Sequence, residues 1–344
     1  MDPFTKKTFT TARGLAYAFY DSSPNAPHSA SLPTILLLHG YPDSARIWSE
    51  VAPRLLPLRA RIIVPDLLGY GDTDKPTDPA AYDSESMAGD VAELLAATAP
   101  GRCVAVGHDW GSFLAQRLHL WHPAAVAGLA MVNVAYMAPF PTPLDLAALD
   151  PRWSYWGFYA GDGDAAAVCA AHAESLWCAI HAASDDVRRA LYSTPGALRR
   201  FLEADGACEV RAYGRLPAHR DPRAEWLARM RAGGFEGPLC WYKAVVGGFT
   251  PAVEAELAGR DPGRLVVRVP ALFVGATGDQ ICSPDAIREP WARGLLPDLQ
   301  IKMIDGFHRP MLENPEQLAL FVAHWLIEKL GFPPGFAPDM YTAL

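Results

Sequence analysis

The stretch CVAVGHDWGSFLAQRL, residues 103–118, decides the fold. Its first part is a continuous apolar run of strand length, the pattern of a strand buried on both faces of a sheet. Its second part places Leu114 and Leu118 at helical spacing, which Trp121 continues just beyond it. Between the two stands Asp109, with Gly107 and Gly111 two residues away on either side. A strand that runs straight into a helix through such a turn has the layout of a nucleophile elbow, where small neighbours let the chain bend sharply and push one side chain into a pocket. The bland alternative is a tight turn whose Asp merely caps the helix, and the strand–turn–helix context favours the elbow. With Asp at the tip, the chemistry narrows. A carboxylate that attacks an acyl group gives a reactive anhydride, whereas attack on a saturated carbon gives an ester that water can hydrolyse later.

Outward from the elbow, TILLLHG (34–40), RIIVPDL (61–67) and AGLAMVN (127–133) are further apolar runs bounded by turn residues. Met87, Val91, Leu94, Leu95 and Thr98 lie between them at helical spacing. PALFVGA (270–276) and QIKMID (300–305) resume the pattern late in the chain. This alternation predicts an α/β protein with a mostly parallel central sheet flanked by helices. Asn314-Pro315-Glu316-Gln317 predicts a capped start for a last helix, with Leu318, Phe321, Val322, Trp325 and Leu326 as its buried stripe. Residues from about 138 to 250 break the rhythm and are rich in Trp, Tyr, Pro and Arg, with helical patches at 164–182 and 223–232. The expected organisation is a core in two parts, 1–137 and 251–344, an inserted mainly helical lid at 138–250, and a proline-rich C-terminal tail.

At 344 residues, half of them apolar, the chain can bury a large core. A formal net charge of −8 disfavours nucleic acid and anionic membrane surfaces as partners. A small neutral substrate is compatible with that charge, and so is a homodimer. The first residues, MDPFTKKTFT, lack the apolar stretch of a secretory signal, and no run reaches the length of a membrane span. These features read as a soluble, cytoplasmic protein. The six cysteines, Cys103, Cys169, Cys178, Cys208, Cys240 and Cys282, are scattered singly, which suggests neither a disulfide framework nor a cysteine zinc site. His119 and His122 could share one helix face, but no second group of ligands accompanies them, so no metal and no other cofactor is expected.

HGYPD (39–43), GYGDTDKP (69–76), GHDWGS (107–112) and GFHRPMLENP (306–315) together resemble the epoxide hydrolase branch of the α/β-hydrolase fold superfamily, and they occur in that family's order across the catalytic domain. Haloalkane and fluoroacetate dehalogenases share much of the pattern. The resemblance implies an α/β-hydrolase fold with a catalytic set in the order Asp109, Asp279, His308: nucleophile, acid, histidine. Asp279 follows the strand 270–276 and would orient His308, while the segment after residue 133 offers no carboxylate before Asp145 that could replace it. The backbone N–H groups of Tyr41 and Trp110 are implied as an oxyanion hole, with a cis Tyr41–Pro42 bond, and His39, Pro42 and Trp110 as residues around the substrate.

Opening an epoxide leaves an alkoxide, which needs a hydrogen-bond donor able to give up a proton, and a phenol suits that task. By resemblance, GPLCWYKA (237–244) supplies Tyr242, although the family commonly has Asn where Cys240 stands. SYWGFYAGDG (154–163) supplies a second lid tyrosine, Tyr155, with Tyr159 as a competitor. The expected reaction is conversion of an epoxide to a vicinal diol through an ester on Asp109. The alternatives are a haloalkane or haloacid dehalogenase, a biosynthetic enzyme with a non-hydrolytic step, and a ligand-binding receptor on a retired hydrolase scaffold.

Overall fold

The structure is a computed structural model, and it describes residues 1, 3–23, 28–140, 144–213 and 220–334. Eight strands form one sheet in the order β1-β2-β4-β3-β5-β6-β7-β8. In chain order they are β1 (Thr5–Thr10), β2 (Ala16–Asp21), β3 (Thr34–Leu38), β4 (Ile62–Pro65), β5 (Cys103–His108), β6 (Val126–Val132), β7 (Ala271–Ala276) and β8 (Leu299–Ile304). β1 and β2 join antiparallel, and from β4 to β8 every pairing is parallel. The six apolar runs of the sequence are therefore β3 to β8. The N-terminal hairpin was not foreseen, because β1 is an edge strand with every second residue exposed, so TKKTFT carries no apolar run.

The central strands are buried along their whole length, and their side chains divide by the two-residue period of a strand. Leu36, Leu38, Ala105, Leu129, Met131 and Phe273 face one layer, which includes the helices Ser84–Thr98 and Trp110–Trp121. Ile35, Leu37, Val104, Val106, Val132 and Val274 face the other, where the helix Pro315–Leu330 lies. That last helix begins where the sequence places it, but the Asn314 side chain does not cap it. Its amide instead bonds the Asp305 carbonyl, tying the helix start to the end of β8.

The described residues between Pro151 and Arg260 are mainly helical and cover the carboxyl end of the sheet. The patch expected at 164–182 is two helices, Ala165–Ala171 and Ala173–Ile180, and the patch at 223–232 is one, Pro222–Gly233. Two indoles anchor this lid to the core: Trp226 Nε1 donates to the Pro42 carbonyl at 2.9 Å and Trp241 Nε1 to that of Leu68 at 2.8 Å. The expected boundary at residue 250 falls inside the helix Phe249–Arg260, which is fastened to the elbow helix by a buried bidentate pair, Arg117 with Glu254 at 2.7 and 2.8 Å. Residues 335–344, most of the tail, lie outside the described residues. Among the described residues no helix is long and apolar enough to cross a membrane.

Candidate active site

Five loops leave the carboxyl ends of neighbouring parallel strands and converge, the place where α/β sheets hold their ligands. β5 delivers Asp109, β3 delivers Tyr41, β6 delivers Asn133, β7 delivers Asp279 and β8 delivers His308. Asp109 has φ 53° and ψ −125°, a conformation that L residues avoid and that costs on the order of 1–3 kcal/mol. Its side chain makes no capping bond to the helix Trp110–Trp121, so the turn-and-cap reading fails. The glycine at 111 is required by the close passage of β3: a Cβ there would lie 2.3 Å from the Leu38 carbonyl oxygen. A Cβ at Gly40 would lie 2.3 Å from Asp109 Oδ1, so that position must also be bare for the carboxylate to fit.

His308 stands between two carboxylates. Its Nδ1 is 2.6 Å from Asp279 Oδ2 and its Nε2 is 3.5 Å from Asp109 Oδ2. Asp279 is buried and fully engaged: Oδ1 accepts the N–H groups of Ile281 and Cys282 at 3.2 and 3.0 Å, and Oδ2 also accepts the Asn133 amide at 2.8 Å. Burial alone would raise its pKa, but the His308 charge and hydrogen bond, the Arg188 charge and the Cys282 N–H outweigh it and hold the carboxyl well below the ordinary range. Asp109 is likewise held low against burial, by His308 and by the backbone N–H of Trp110. The Tyr41 N–H donates to Asp109 Oδ1 at 2.7 Å. Of the two N–H groups named as an oxyanion hole, that of Tyr41 thus donates to the carboxylate whose carbon would become tetrahedral, and that of Trp110 helps to hold its pKa low.

The loop that carries Tyr41 is held by polar groups behind it. The Tyr41–Pro42 bond is cis, and Arg309 donates to the Tyr41 carbonyl at 3.2 Å while pairing with Asp43 at 3.2 Å. His39 does not line the site. It is completely buried, with Nδ1 at 2.9 Å from the Gly40 carbonyl and Nε2 accepting the Leu67 N–H at 2.9 Å, so both ring nitrogens serve the backbone.

Two connected lobes meet at Asp109. The larger, about 260 Å³, is apolar and walled by Trp110, Phe113, Phe140, Trp153 and Trp156. The smaller, about 40 Å³, is lined by Tyr41, Pro42, Arg188, Tyr192, His308 and Arg309 among others. Tyr155 lines both lobes, and Tyr242, whose ring centroid is 5.9 Å from that of Tyr155, lines the smaller one. Burial raises both phenols well above their ordinary pKa, with the Asp109 charge contributing in each case. Tyr159 also reaches the smaller lobe, but its phenol is raised by burial and by Tyr192 and Cys169. Cys240 turns the other way, its thiol bonding the Thr77 carbonyl at 3.5 Å.

Sequence reasoning missed Asn133, Arg188, Arg309 and Cys282. Asn133 had one signal: it closes β6, the position searched for an alternative acid, and holds φ 64° there. Asp109, His308 and Cys282 bring ligand-type atoms within 4.8 Å of one another, while His119 and His122 lie apart from them on the elbow helix and at its end.

A model of the alpha/beta hydrolase fold matches residues 33–315, and the chain belongs to that family. Among its relatives is the bifunctional epoxide hydrolase 2 of Sus scrofa, 25% identical over 86% of this chain and 51% of that protein. Epoxide hydrolase A of Mycobacterium tuberculosis is 26% identical over 72% of this chain and 76% of its own length. The structure of potato (Solanum tuberosum) epoxide hydrolase I superposes with a TM-score of 0.75 at 23% identity, covering 94% of this chain and 99% of that one. The motif resemblance to the epoxide hydrolase branch is thereby borne out. The chain spans about half the length of the mammalian relatives, 51% of the pig protein and 53% of the rat one.

Proposed function

We propose that the protein hydrolyses an epoxide to a vicinal diol in two steps. The observation that carries this reading is the pair of phenols, the half-buried Tyr155 and the buried Tyr242, lining the same small lobe as Asp109 and His308. An ionised Asp109 oxygen attacks one oxirane carbon from the strained turn. The carbon–oxygen bond breaks as the two phenols hold the oxygen, one of them giving up its proton to the departing alkoxide. Because burial keeps both phenols un-ionised at neutral pH, both enter the step as donors. The product of this step is an alkyl ester on Asp109.

In the second step His308, oriented by Asp279, takes a proton from water, and the resulting hydroxide attacks the carboxyl carbon of Asp109. The oxyanion forms beside the N–H groups of Tyr41 and Trp110. Collapse of that intermediate releases the diol and restores the carboxylate, and the proton taken up by His308 passes back to the ionised phenol, which returns both groups to their starting state. No metal or redox group enters either step.

A single turnover in heavy-oxygen water tests this. Water attacks the Asp109 carbon, so the label should enter Asp109 while the first diol released carries none from solvent. Label appearing directly in that first diol would replace the covalent route with direct attack by water. In a haloalkane panel run beside the epoxides, halide release without diol formation would move the protein to the dehalogenases.

A further inference from the structure

Arg188 is a cation that neither proposed step uses. It lies on the lid helix Asp185–Ser193, is only 6% exposed, and lines the small lobe beside Tyr192, His308 and the two phenols. Its Nε has no hydrogen-bond partner, and no carboxylate among the described residues stands within ion-pair distance of it. The acids around it feel its charge but accept their hydrogen bonds from other groups: Asp279 is held by His308 and Asn133, and Asp185 on the same helix pairs with Arg211 at 3.3 Å. The other arginine of the lobe, Arg309, is matched by Asp43. A charge removed from water without a close partner is unfavourable, so a buried guanidinium that faces a cavity with its Nε unbonded suits an anionic ligand there.

The two lobes differ in the same sense. The small one has room for roughly three water molecules, which is the bulk of a carboxylate, and it carries the open guanidinium. The large one is apolar and aromatic and would take a flat or branched hydrocarbon group. An oxirane held at Asp109 between them would project one substituent into each. Building on the epoxide reading, we propose that Arg188 is a specificity-determining residue that binds a carboxylate carried close to the oxirane, and that the substrates are epoxy acids with an apolar, aryl-sized group on the other oxirane carbon. A guanidinium fork fits a carboxylate in two parallel hydrogen bonds, and in a small, desolvated lobe this fixes which oxirane carbon faces Asp109.

The test separates this proposal from the hydrolase reading. Binding is measured calorimetrically with cinnamate and cinnamamide, which have the shape of a 3-aryl epoxy acid and its amide but no reactive ring. The wild-type protein should prefer cinnamate, and Arg188→Gln should erase most of that preference, by about 10²-fold if the pair resembles other buried charge pairs. Arg188→Lys should retain part of it. In turnover, the ratio of kcat/KM for 3-phenylglycidate to that for its amide should fall in parallel. If the wild-type protein binds cinnamate no better than cinnamamide, the proposal is overturned, and that outcome holds even if the variants do not fold. If Arg188 served only to balance Asp279, Arg188→Gln would affect acid and amide alike, and that result also overturns the proposal. Styrene oxide, which lacks a carboxylate, reports on the hydrolase reading alone: wild-type protein that prefers cinnamate yet never opens styrene oxide or the glycidates keeps the anion site and loses the reaction.

Discussion

His308 meets opposite demands in the two halves of the proposed reaction. Burial opposes a charge on its ring, but the Asp279 carboxylate outweighs burial, with Cys282 and Asp109 adding to it, and the imidazole is held well above its ordinary pKa. In the resting protein it is therefore a cation lying between two anions. Esterification removes the charge on Asp109, and with it one of the causes that keep His308 protonated, so the ring becomes a base only once there is an ester to hydrolyse. Alkylation should then be insensitive to pH from the ordinary carboxylate range up to the raised His308 value, whereas ester hydrolysis should rise with pH through a lower, separate pKa. Rapid-quench mass spectrometry of the Asp109 adduct resolves the two rates, and a shared pKa would contradict the switch. The phenols give a second prediction: Tyr155→Phe and Tyr242→Phe should each slow adduct formation by about 10²–10³, the cost of one preorganised donor. Tyr159→Phe should do far less, since the Tyr159 hydroxyl itself has no accessible surface. A damaging Tyr159→Phe beside a silent Tyr155→Phe would reverse the assignment. Asp109 and His308 could be singled out from the sequence because each occupies a turn with a recognisable local signature. Asn133 and Arg188 could not, since an amide ending a strand and an arginine on a lid helix acquire meaning only from what the folded chain sets opposite them.

At the level of elements, the lid is held by a few polar fasteners laid over apolar contact. The indoles of Trp226 and Trp241 reach core carbonyls from two adjacent lid helices, and Trp241 immediately precedes Tyr242, so the anchor and the phenol share one helical turn. The pair Arg117–Glu254 fastens the returning helix to the elbow helix with both side chains almost wholly inaccessible, 2% and 0% exposed. Arg117 also donates to the Met137 carbonyl at 2.6 Å, just where the chain leaves the sheet for the lid. Removing Glu254 leaves that guanidinium buried with only neutral partners. Glu254→Ala should accordingly lower unfolding free energy by about 3–5 kcal/mol, read from urea melts, whereas removing both charges together should cost less than the sum. Additive losses would mean that the pair is better solvated than its burial implies. The misjudged ends of elements have the same origin. Asn314 looked like a cap because local sequence favours one, but the nearby Asp305 carbonyl competes for its amide; the boundary at 250 was drawn from composition, whereas the helix Phe249–Arg260 is placed by one distant ion pair.

For the whole molecule, the parallel part of the sheet was legible because each central strand is buried on both faces and must be apolar throughout, a demand that shows in any reading of the chain. The edge hairpin meets water and leaves no such mark. Burial also determines how the molecule should respond to acid. His108 lies wholly inside the sheet end, its Nε2 at 2.6 Å from the His308 carbonyl, and desolvation, with the nearby His308 charge, depresses it to about 3. Desolvation, with Arg264 adding to it, lowers His119 to about 4, and burial also lowers His39 and His181. An unfolded histidine takes up its proton near pH 6.5. Each of these groups has its folded value below its unfolded one, so the stability it contributes is complete above about pH 6.5 and is lost as pH falls toward the folded value. His308 has the opposite sign: its contribution is present below about pH 6.5 and is lost only as pH rises through its raised value. Around pH 5 it is protonated in both states and drops out of the balance. Counting His108, His119 and His181, three protons are taken up on unfolding, so the free energy of unfolding should fall by roughly 4 kcal/mol per pH unit near pH 5. Urea melts at closely spaced pH values between 7 and 4.5 measure that slope, and His119→Gln, which removes one of the three protons, should reduce it by about a third. A flat profile across that range would mean that these histidines are protonated in the folded protein, and the dry interior behind Asp109 would have to be redrawn.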